Sequence, residues 1–596
     1  MCGFTGELSF GKIDNLSLKK ANQHSICRGP DNLTNYIEND DLNMSLWFNR
    51  LAIIDLSEKA NQPMTSEDSK SILMFNGEIY NSVELRKDLI VNGFKFHTSH
   101  SDTETLSAGL DTFGIDFINK LEGQFAFVYI NKRNKKIYFV RDRLGQKPLY
   151  LKYNEKKISF CSNLKSILEH DKEVSIDRKS LEQYIAYGIN FAPRTLFKEI
   201  QKIQPATYLE IDYSNNKFKK NEKKYWEPDL YLDNKTFNYK NFQQLLTESI
   251  KKRTISDVPL ATFLSGGIDS TSIVKKLYEL DHPTNTFSVV LDNEKYNEKK
   301  FIDRVLNTYT TNHDEVKIDS EISDEIISKS IKSLDEPYSD PSVVPSYYLS
   351  ELISRKYKVA ISGDGGDELL GGYSRIKNHK QKKGFIKNLL SKLYFIYPAV
   401  LGSGTNLKSM SNNYIESYIS YLEDGKFFKL LFKKSIEQDL RININNSGSE
   451  YKTLLKTDYE YYLSDQMMFK VDRTSMSNSL EVRSPFVDHK LIEYIFSHDT
   501  SYFDGKTQKF PLRKYLSSDF EKDFLDRPKQ GFVFDYKKWV FSNLDSIFND
   551  IDNSLLKEYL NIEKLYKLRL FKTRMNSLRI WRVYVLALYL NDINNS

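Results

Sequence analysis

Near Asn241 the sequence changes rhythm, and that change restricts the fold more than any other feature. Downstream of it, β-type apolar runs alternate with segments of helical periodicity. Leu260 to Leu264 is an apolar run, and a helical stretch from Ser270 to Leu280 follows it. Thr286 to Leu291, a helix near Phe301 to Tyr309, Glu315 to Ile318, helical segments near 323–334 and 344–356, and Lys358 to Ser362 continue the series. Strands alternating with helices predict a parallel, doubly wound sheet, because parallel neighbours need a crossover between them. From about residue 375 the pattern is largely helical, and Leu578, Trp581, Val585 and Leu588 share one helix face near the end.

Upstream the plan is different. Phe125 to Ile130 and Ile137 to Val140 flank a polar turn, and Leu149 to Tyr153 and Ile158 to Cys161 repeat it. This reads as antiparallel hairpins. Ser71 to Phe75 is a further strand, expected to end at Asn76-Gly77. The stretch from Ser214 to Lys235 lacks apolar periodicity and is the expected linker. Two domains follow, residues 2–215 and 240–596, which suits a chain of 596 residues better than one core would.

Composition excludes several function classes. Hydrophobic residues are 40% and charged residues 28%, with a formal net charge of +6. That field is weak for so long a chain, and the basic cluster Lys217 to Lys224 is short and interrupted, so no nucleic-acid partner is expected. Three cysteines, Cys2, Cys27 and Cys161, cannot form a disulfide scaffold and suit a reducing cytoplasm. The N-terminus has no basic and apolar leader pattern. The longest apolar runs, near Leu393 to Leu401 and Val583 to Leu590, fall far below the ~18 residues of a span, so no membrane partner is expected.

Cys2 is the first residue with chemistry. Met1 precedes a small residue and is removable, which would leave Cys2 with a thiol and a free α-amine. An amine with a pKa of about 7.7–8.0 can serve as base for its own side chain. Four segments follow in order: Arg28-Gly29-Pro30-Asp31, Arg50-Leu51-Ala52-Ile53-Ile54-Asp55, Asn76-Gly77-Glu78-Ile79-Tyr80-Asn81 and Ser101-Asp102-Thr103-Glu104. Together with Asp142-Arg143-Leu144-Gly145-Gln146-Lys147-Pro148-Leu149-Tyr150, they resemble the glutaminase domain of class II glutamine amidotransferases over about residues 2–200. The resemblance implies that Cys2 attacks the glutamine amide, with Asn76 and Gly77 as oxyanion hole. It implies Arg50 on the substrate α-carboxylate, and Asp102 with Glu78 on the α-ammonium. Cys27 stands where the family often has histidine, and it is given no role.

A second constellation lies at Leu264-Ser265-Gly266-Gly267-Ile268-Asp269-Ser270, between an expected strand and helix. Two glycines let a phosphate approach the backbone, and a helix N-terminus favours an anion. The pattern is neither a Walker A loop nor Gly-x-Gly-x-x-Gly. It resembles the pyrophosphate loop of ATP pyrophosphatases. Ser362-Gly363-Asp364-Gly365-Gly366-Asp367-Glu368 follows another strand of the same sheet, with carboxylates suited to Mg²⁺. By resemblance Asp269 and Asp367 are the metal carboxylates. Leu264, Ser265, Gly266, Gly267, Ser270, Val289, Ser362 and Gly363 are then the ATP contacts. Asp364 stands where the family often has glutamate, one methylene longer. Val471-Asp472-Arg473-Thr474-Ser475-Met476 and Leu480-Glu481-Val482-Arg483-Ser484 resemble a helical part of the same family, and Lys529 is implied at the ATP phosphates or the charged intermediate.

Both matches in one chain resemble the glutamine-hydrolysing asparagine synthetases. The implied fold is mixed α/β and α+β: an N-terminal nucleophile (Ntn) αββα sandwich, then an α/β adenine-nucleotide alpha-hydrolase-like (ATP pyrophosphatase) domain with a helical C-terminal part. Implied partners are glutamine, ATP, Mg²⁺ and aspartate; a homodimer is compatible with this reading. The alternative acceptor is another carboxylate, such as a sugar uronate in surface-polysaccharide biosynthesis. Residues 380–455 carry no readable motif.

Overall fold

The strand Cys2–Ser9 is buried along its whole length because antiparallel neighbours, Asn43–Arg50 and Lys157–Cys161, flank it on both sides. The computed structural model describes residues 1–228, 236–291, 298–318, 322–373, 375–376, 384–398, 401, 403–433, 450–498, 507–527 and 534–594. Among these, the first sheet has the order Ile200–Lys202, Tyr150–Tyr153, Lys157–Cys161, Cys2–Ser9, Asn43–Arg50, Asn32–Glu38. The second runs Lys219–Lys224, Thr207–Asp212, Lys136–Arg141, Gly123–Asn131, Ser71–Ile79, Met64–Thr65.

Alternation along the strands sorts the side chains between layers. Phe4, Leu8, Phe48, Met74, Val128, Phe139 and Phe160 fill the space between the sheets. Phe75, Phe125, Phe127 and Tyr129 point the other way, onto helices Ser82–Val91 and Asp102–Phe113. Helices Asn15–Ala21 and Leu164–His170 cover the first sheet. The stack is the expected αββα sandwich. Phe4, Phe48 and Phe160 are fully buried. Each adds about 2–3 kcal/mol of transfer free energy.

Two expectations are corrected here. The strand beginning at Ser71 does not end at Asn76-Gly77; it runs to Ile79, paired with Gly123–Asn131 throughout. The glycine serves close approach rather than a turn: a Cβ on Gly77 would lie 2.2 Å from the Gln124 carbonyl oxygen. Within the expected linker, Lys219–Lys224 is a strand paired with Thr207–Asp212. All its residues are exposed at the sheet edge, so charge replaces the apolar alternation that sequence reading needs.

The second domain is built on a parallel sheet in the order Asn312–Ile318, Asn285–Leu291, Leu260–Phe263, Val359–Ile361, Glu481–Arg483. Strand order reverses beside Leu260–Phe263, so the loops after Phe263 and Ile361 open next to each other, where such sheets bind ligands. The fifth strand corrects the helical expectation for this segment. Three residues are too few to show a period, and Glu481 and Arg483 are fully buried. The final helix, Arg574–Asn594, buries Ile580, Trp581, Val583, Val585 and Leu586 against Leu181, Tyr184 and Leu196 of the first domain. No helix of the described residues is long and apolar enough to cross a membrane.

Candidate active sites

The Cys2 pocket is assembled from strand ends. Its lining includes Met1, Cys2, Arg50, Leu51, Gln62, Gly77, Glu78, Asp102 and Thr103. Cys2 donates its backbone N–H to Asn76 Oδ1 at 3.0 Å. Arg28 Nε donates to the Cys2 carbonyl at 3.2 Å, so the Arg28-Gly29-Pro30-Asp31 turn anchors the strand that carries the thiol. Burial pushes the Cys2 thiol up from its ordinary value, while the N-terminal ammonium pulls the other way. A thiol in that state needs a base to become a nucleophile.

Asn76 is completely buried, and its Nδ2 has no hydrogen-bond partner among the described residues. A buried amide donor left unpaired is costly, unless a ligand oxygen completes it. Arg50, the last residue of its strand, donates to the Ser57 carbonyl at 2.8 Å and Asn61 Oδ1 at 2.9 Å. Neutral acceptors fix its fork without cancelling its charge, which suits a carboxylate. Opposite it, Asp102 accepts the Ile79 N–H at 3.1 Å, and burial raises its carboxyl to about 6. Burial and the Asp102 charge push Glu78 well up, against the pull of Arg483, whose Nη2 donates to it at 3.2 Å. A cation placed between these two carboxyls would stabilise their ionised forms. A cationic-to-anionic pocket around a thiol fits an α-amino acid. The Asp142 motif is structural: its carboxylate accepts the N–H groups of Leu144, Gln146, Lys147 and Phe125, which shapes the loop.

The second site lies where the two sheet-edge loops meet. Gly266 has φ +65°, and a Cβ there would stand 2.9 Å from the Ile302 nitrogen. Leu264 N–H bonds the Phe287 carbonyl at 2.9 Å, and Ser265 and Ser270 hydroxyls lie 3.1 Å apart. Helix Ile268–Glu279 begins at Gly267 with no side-chain cap, so its first N–H groups are presented for an anion. Val289 is partly buried in the neighbouring strand. Ser362 N–H bonds the Arg483 carbonyl at 2.9 Å, while its buried hydroxyl has no partner among the described residues. A Cβ on Gly363 would lie 2.8 Å from Asp269 Cβ, and one on Gly366 2.6 Å from its carboxylate. The Asp364 carboxylate, partly exposed, makes no ion pair among the described residues.

Asp269 and Asp367 are brought together, with Lys509 between them. Its Nζ pairs with Asp269 and lies 2.8 Å from Asp367 Oδ1. Lys509 sits at φ +53°, and the two carboxylates raise its pKa against burial. Sequence reading missed it; no local pattern marks a lysine whose partners lie 240 and 142 positions away. Among the described residues no group of three or more metal-binding side chains exists. Two carboxylates still fit Mg²⁺, which takes the rest of its shell from phosphate oxygens and water. Lys529 lies outside the described residues.

Sequence reading also missed what joins the sites. Arg483 donates through Nε to Glu481 at 2.6 Å and through Nη2 to Glu78. Glu481 pairs with the buried Met1 ammonium at 3.0 Å. Asp472 accepts both guanidinium nitrogens of Arg28, at 2.8 and 3.0 Å, and Lys147 lies 3.3 Å away; their charges hold its carboxyl far below the usual range.

Two family models match the chain. A glutamine amidotransferase domain model matches residues 1–226 and an asparagine synthase model matches residues 241–590. The chain is 29% identical to asparagine synthetase (glutamine-hydrolyzing) 1 of Bacillus subtilis, over 99% of this chain and 96% of that one. It is 31% identical to the putative asparagine synthetase (glutamine-hydrolyzing) 2 of Methanocaldococcus jannaschii, over 80% of this chain and 98% of that one. A probable asparagine synthetase (glutamine-hydrolyzing) of Acanthamoeba polyphaga mimivirus is 28% identical over 89% and 85%. With an amidotransferase sandwich followed by a matched synthase domain, the chain belongs to the asparagine synthase family.

Proposed function

We propose that the chain is a glutamine-dependent asparagine synthetase. It hydrolyses glutamine to glutamate and ammonia, adenylates aspartate with ATP, and releases asparagine, AMP and pyrophosphate. The observation that carries this reading is a single short strand. Glu481–Arg483 holds the Glu78 carboxyl of the first site through Arg483 Nη2, and bonds the Ser362 loop of the second through the Arg483 carbonyl. Two unrelated pockets would not need a shared support.

In the first half-reaction, loss of Met1 frees the Cys2 amine to take the thiol proton. The sulfur attacks the side-chain amide carbon while Arg50, Glu78 and Asp102 hold the two ends of the amino acid. Negative charge then forms on the carbonyl oxygen, where Asn76 Nδ2 and the Gly77 N–H stabilise it. Ammonia leaves with a proton returned from the amine, and water cleaves the thioester to glutamate. In the second half-reaction an aspartate carboxylate oxygen attacks the α-phosphorus of ATP and pyrophosphate departs. The Ser265-Gly266-Gly267 backbone, the Ser270 and Ser362 hydroxyls and the Val289 and Gly363 backbone position the nucleotide. Asp269 and Asp367 would hold Mg²⁺, which supplies charge stabilisation for the phosphates when bound. Lys509 then has to leave the space between these carboxylates; a phosphate oxygen is its natural new partner. Ammonia then attacks the acyl-adenylate with loss of AMP; the family resemblance assigns Asp364 and Lys529 to this step.

The three cysteines are free, in keeping with a cytoplasmic compartment, and a homodimer is the assembly to test by light scattering. Incubation with ATP, Mg²⁺, glutamine and a panel of carboxylates, followed by mass spectrometry, tests the reading. Asparagine should form with equal AMP and pyrophosphate. Amidation of a uronate while aspartate stays intact would overturn the acceptor.

A further inference from the structure

Between Leu369 and Ile415 the sequence holds eight Lys and Arg and no Asp or Glu. In the middle of that stretch stand helix Phe385–Lys392 and the turn Leu393–Phe395. The helix has no buried residue. Its orientation is the reverse of an ordinary surface helix, whose apolar stripe faces the core. Polar Asn388 and Ser391 are half-buried, and Asn388 Oδ1 accepts the Asn412 N–H at 3.0 Å. Tyr394 continues this inner side, with the Lys426 ammonium 4.5 Å from its ring centre. The apolar side chains face outward: Phe385 is 84% exposed, Ile386 72% and Ile396 77%, with Leu389, Leu390 and Leu393 exposed between them. Lys387 and Lys392 are exposed on the same short element, and Lys380, Lys382 and Lys383 precede it in sequence.

Single exposed apolar residues are ordinary, but a contiguous stripe marks an interaction surface. We propose that this element is a peripheral membrane anchor, a partner that apolar run length alone gave no reason to expect. The exposed side chains of Phe385, Ile386, Leu389, Leu390, Leu393 and Ile396 enter the acyl boundary of a bilayer, and Lys387 and Lys392 meet anionic headgroups. The charge pattern selects this occupant. A second copy docking face to face would set this acid-free, lysine-bearing stretch against itself. An anionic lipid surface satisfies both the apolar stripe and the cations. No described helix can cross the bilayer, so the contact is superficial.

The test uses the full chain and vesicles of phosphatidylcholine with or without phosphatidylglycerol. The chain should sediment with the anionic vesicles and remain in solution with the neutral ones. The double variant Phe385→Glu, Ile386→Glu should cut the bound fraction at least about fivefold, and Lys387→Glu with Lys392→Glu should weaken binding on anionic vesicles. These side chains are exposed, so glutaminase activity reports that the variants are folded. As a second readout, Phe385→Trp should shift its emission to the blue on anionic vesicles. The proposal is overturned if the native chain ignores anionic vesicles, if the Phe385 and Ile386 variant binds undiminished, or if the tryptophan emission stays unshifted. A concentration-dependent dimer that the same variant dissolves, without vesicle binding, would assign the face to a second copy and also overturn it.

Discussion

The two pockets follow opposite plans. In the glutamine pocket Cys2, Arg50, Asn76 and Glu78 stand on strands and Asp102 opens a helix; neutral hydrogen bonds fix Arg50 and the Cys2 N–H, and Arg483 pairs with Glu78. In the ATP site two glycine-rich loops lead into helices whose first turns carry Asp269 and Asp367, and a lysine clamps these two carboxylates. The first pocket is organised before its substrate arrives, as an oxyanion site must be to lower a barrier. The second holds its opposite charges against each other until a ligand with its own charges separates them. A site for a neutral zwitterion can be finished in advance. A site for a triphosphate and a dication has to exchange its internal cation, Lys509, for the ligand's own charges.

The largest expected effect separates the two plans outright. Cys2→Ala should abolish glutamine-dependent synthesis by about a thousandfold or more, while synthesis from added ammonia continues. Asp367→Asn should do the reverse, stopping ATP cleavage while glutaminase turnover persists. Equal loss of both activities in either variant would show that the sites are not separable.

Next comes the preorganised donor. Asn76→Ala should lower glutaminase kcat by about a hundredfold with a smaller change in KM, since the oxyanion exists only in the transition state. A change confined to KM would make Asn76 a substrate contact instead.

The clamp should show itself in stability. Lys509→Met leaves the buried Asp367 and the half-buried Asp269 carboxylates facing each other and should cost about 3 kcal/mol in the empty protein. Denaturation with and without ATP and Mg²⁺ measures it. An undiminished stability without ligand would mean that no clamp exists.

The smallest effect is a pH dependence in the first pocket. Burial raises Asp102 to about 6 from the ordinary 3.8. Between these values the folded chain holds a proton that the unfolded chain has shed, so this group's contribution to stability falls as pH rises through that window. Binding of an α-ammonium needs the ionised form. Glutamine KM should therefore rise by at most about tenfold from pH 7 to pH 5, and Asp102→Asn should flatten the profile. A profile unchanged in Asp102→Asn would assign the titration elsewhere.

What could be read from the sequence follows the range of each interaction. The parallel sheet was legible because each strand and crossover helix carries its own period, as from Leu260–Phe263 to Ile268–Glu279. The pocket motifs were legible because Asn76, Gly77 and Glu78 sit side by side on one strand. Lys219–Lys224 was not, since an edge strand of charged residues has no apolar signature. Glu481–Arg483 was not, since three residues cannot show alternation and their partner Glu78 lies more than 400 positions away. The 380–455 region carried no motif, and its one informative property, an outward apolar stripe, depends on which side of the helix meets the protein.

By itself, then, the sequence determined the order of the two family domains, the candidate nucleophile and the two glycine loops, because these depend on neighbours within a few residues. The tertiary structure decided which charges meet: Lys509 between Asp269 and Asp367, Arg483 on Glu78, Asp472 against Arg28 and Lys147. It also decided that Asn76 Nδ2, on the strand beside Cys2, has no hydrogen-bond partner among the described residues. Burial and electrostatic pairing act through space, and distance along the chain carries no information about them.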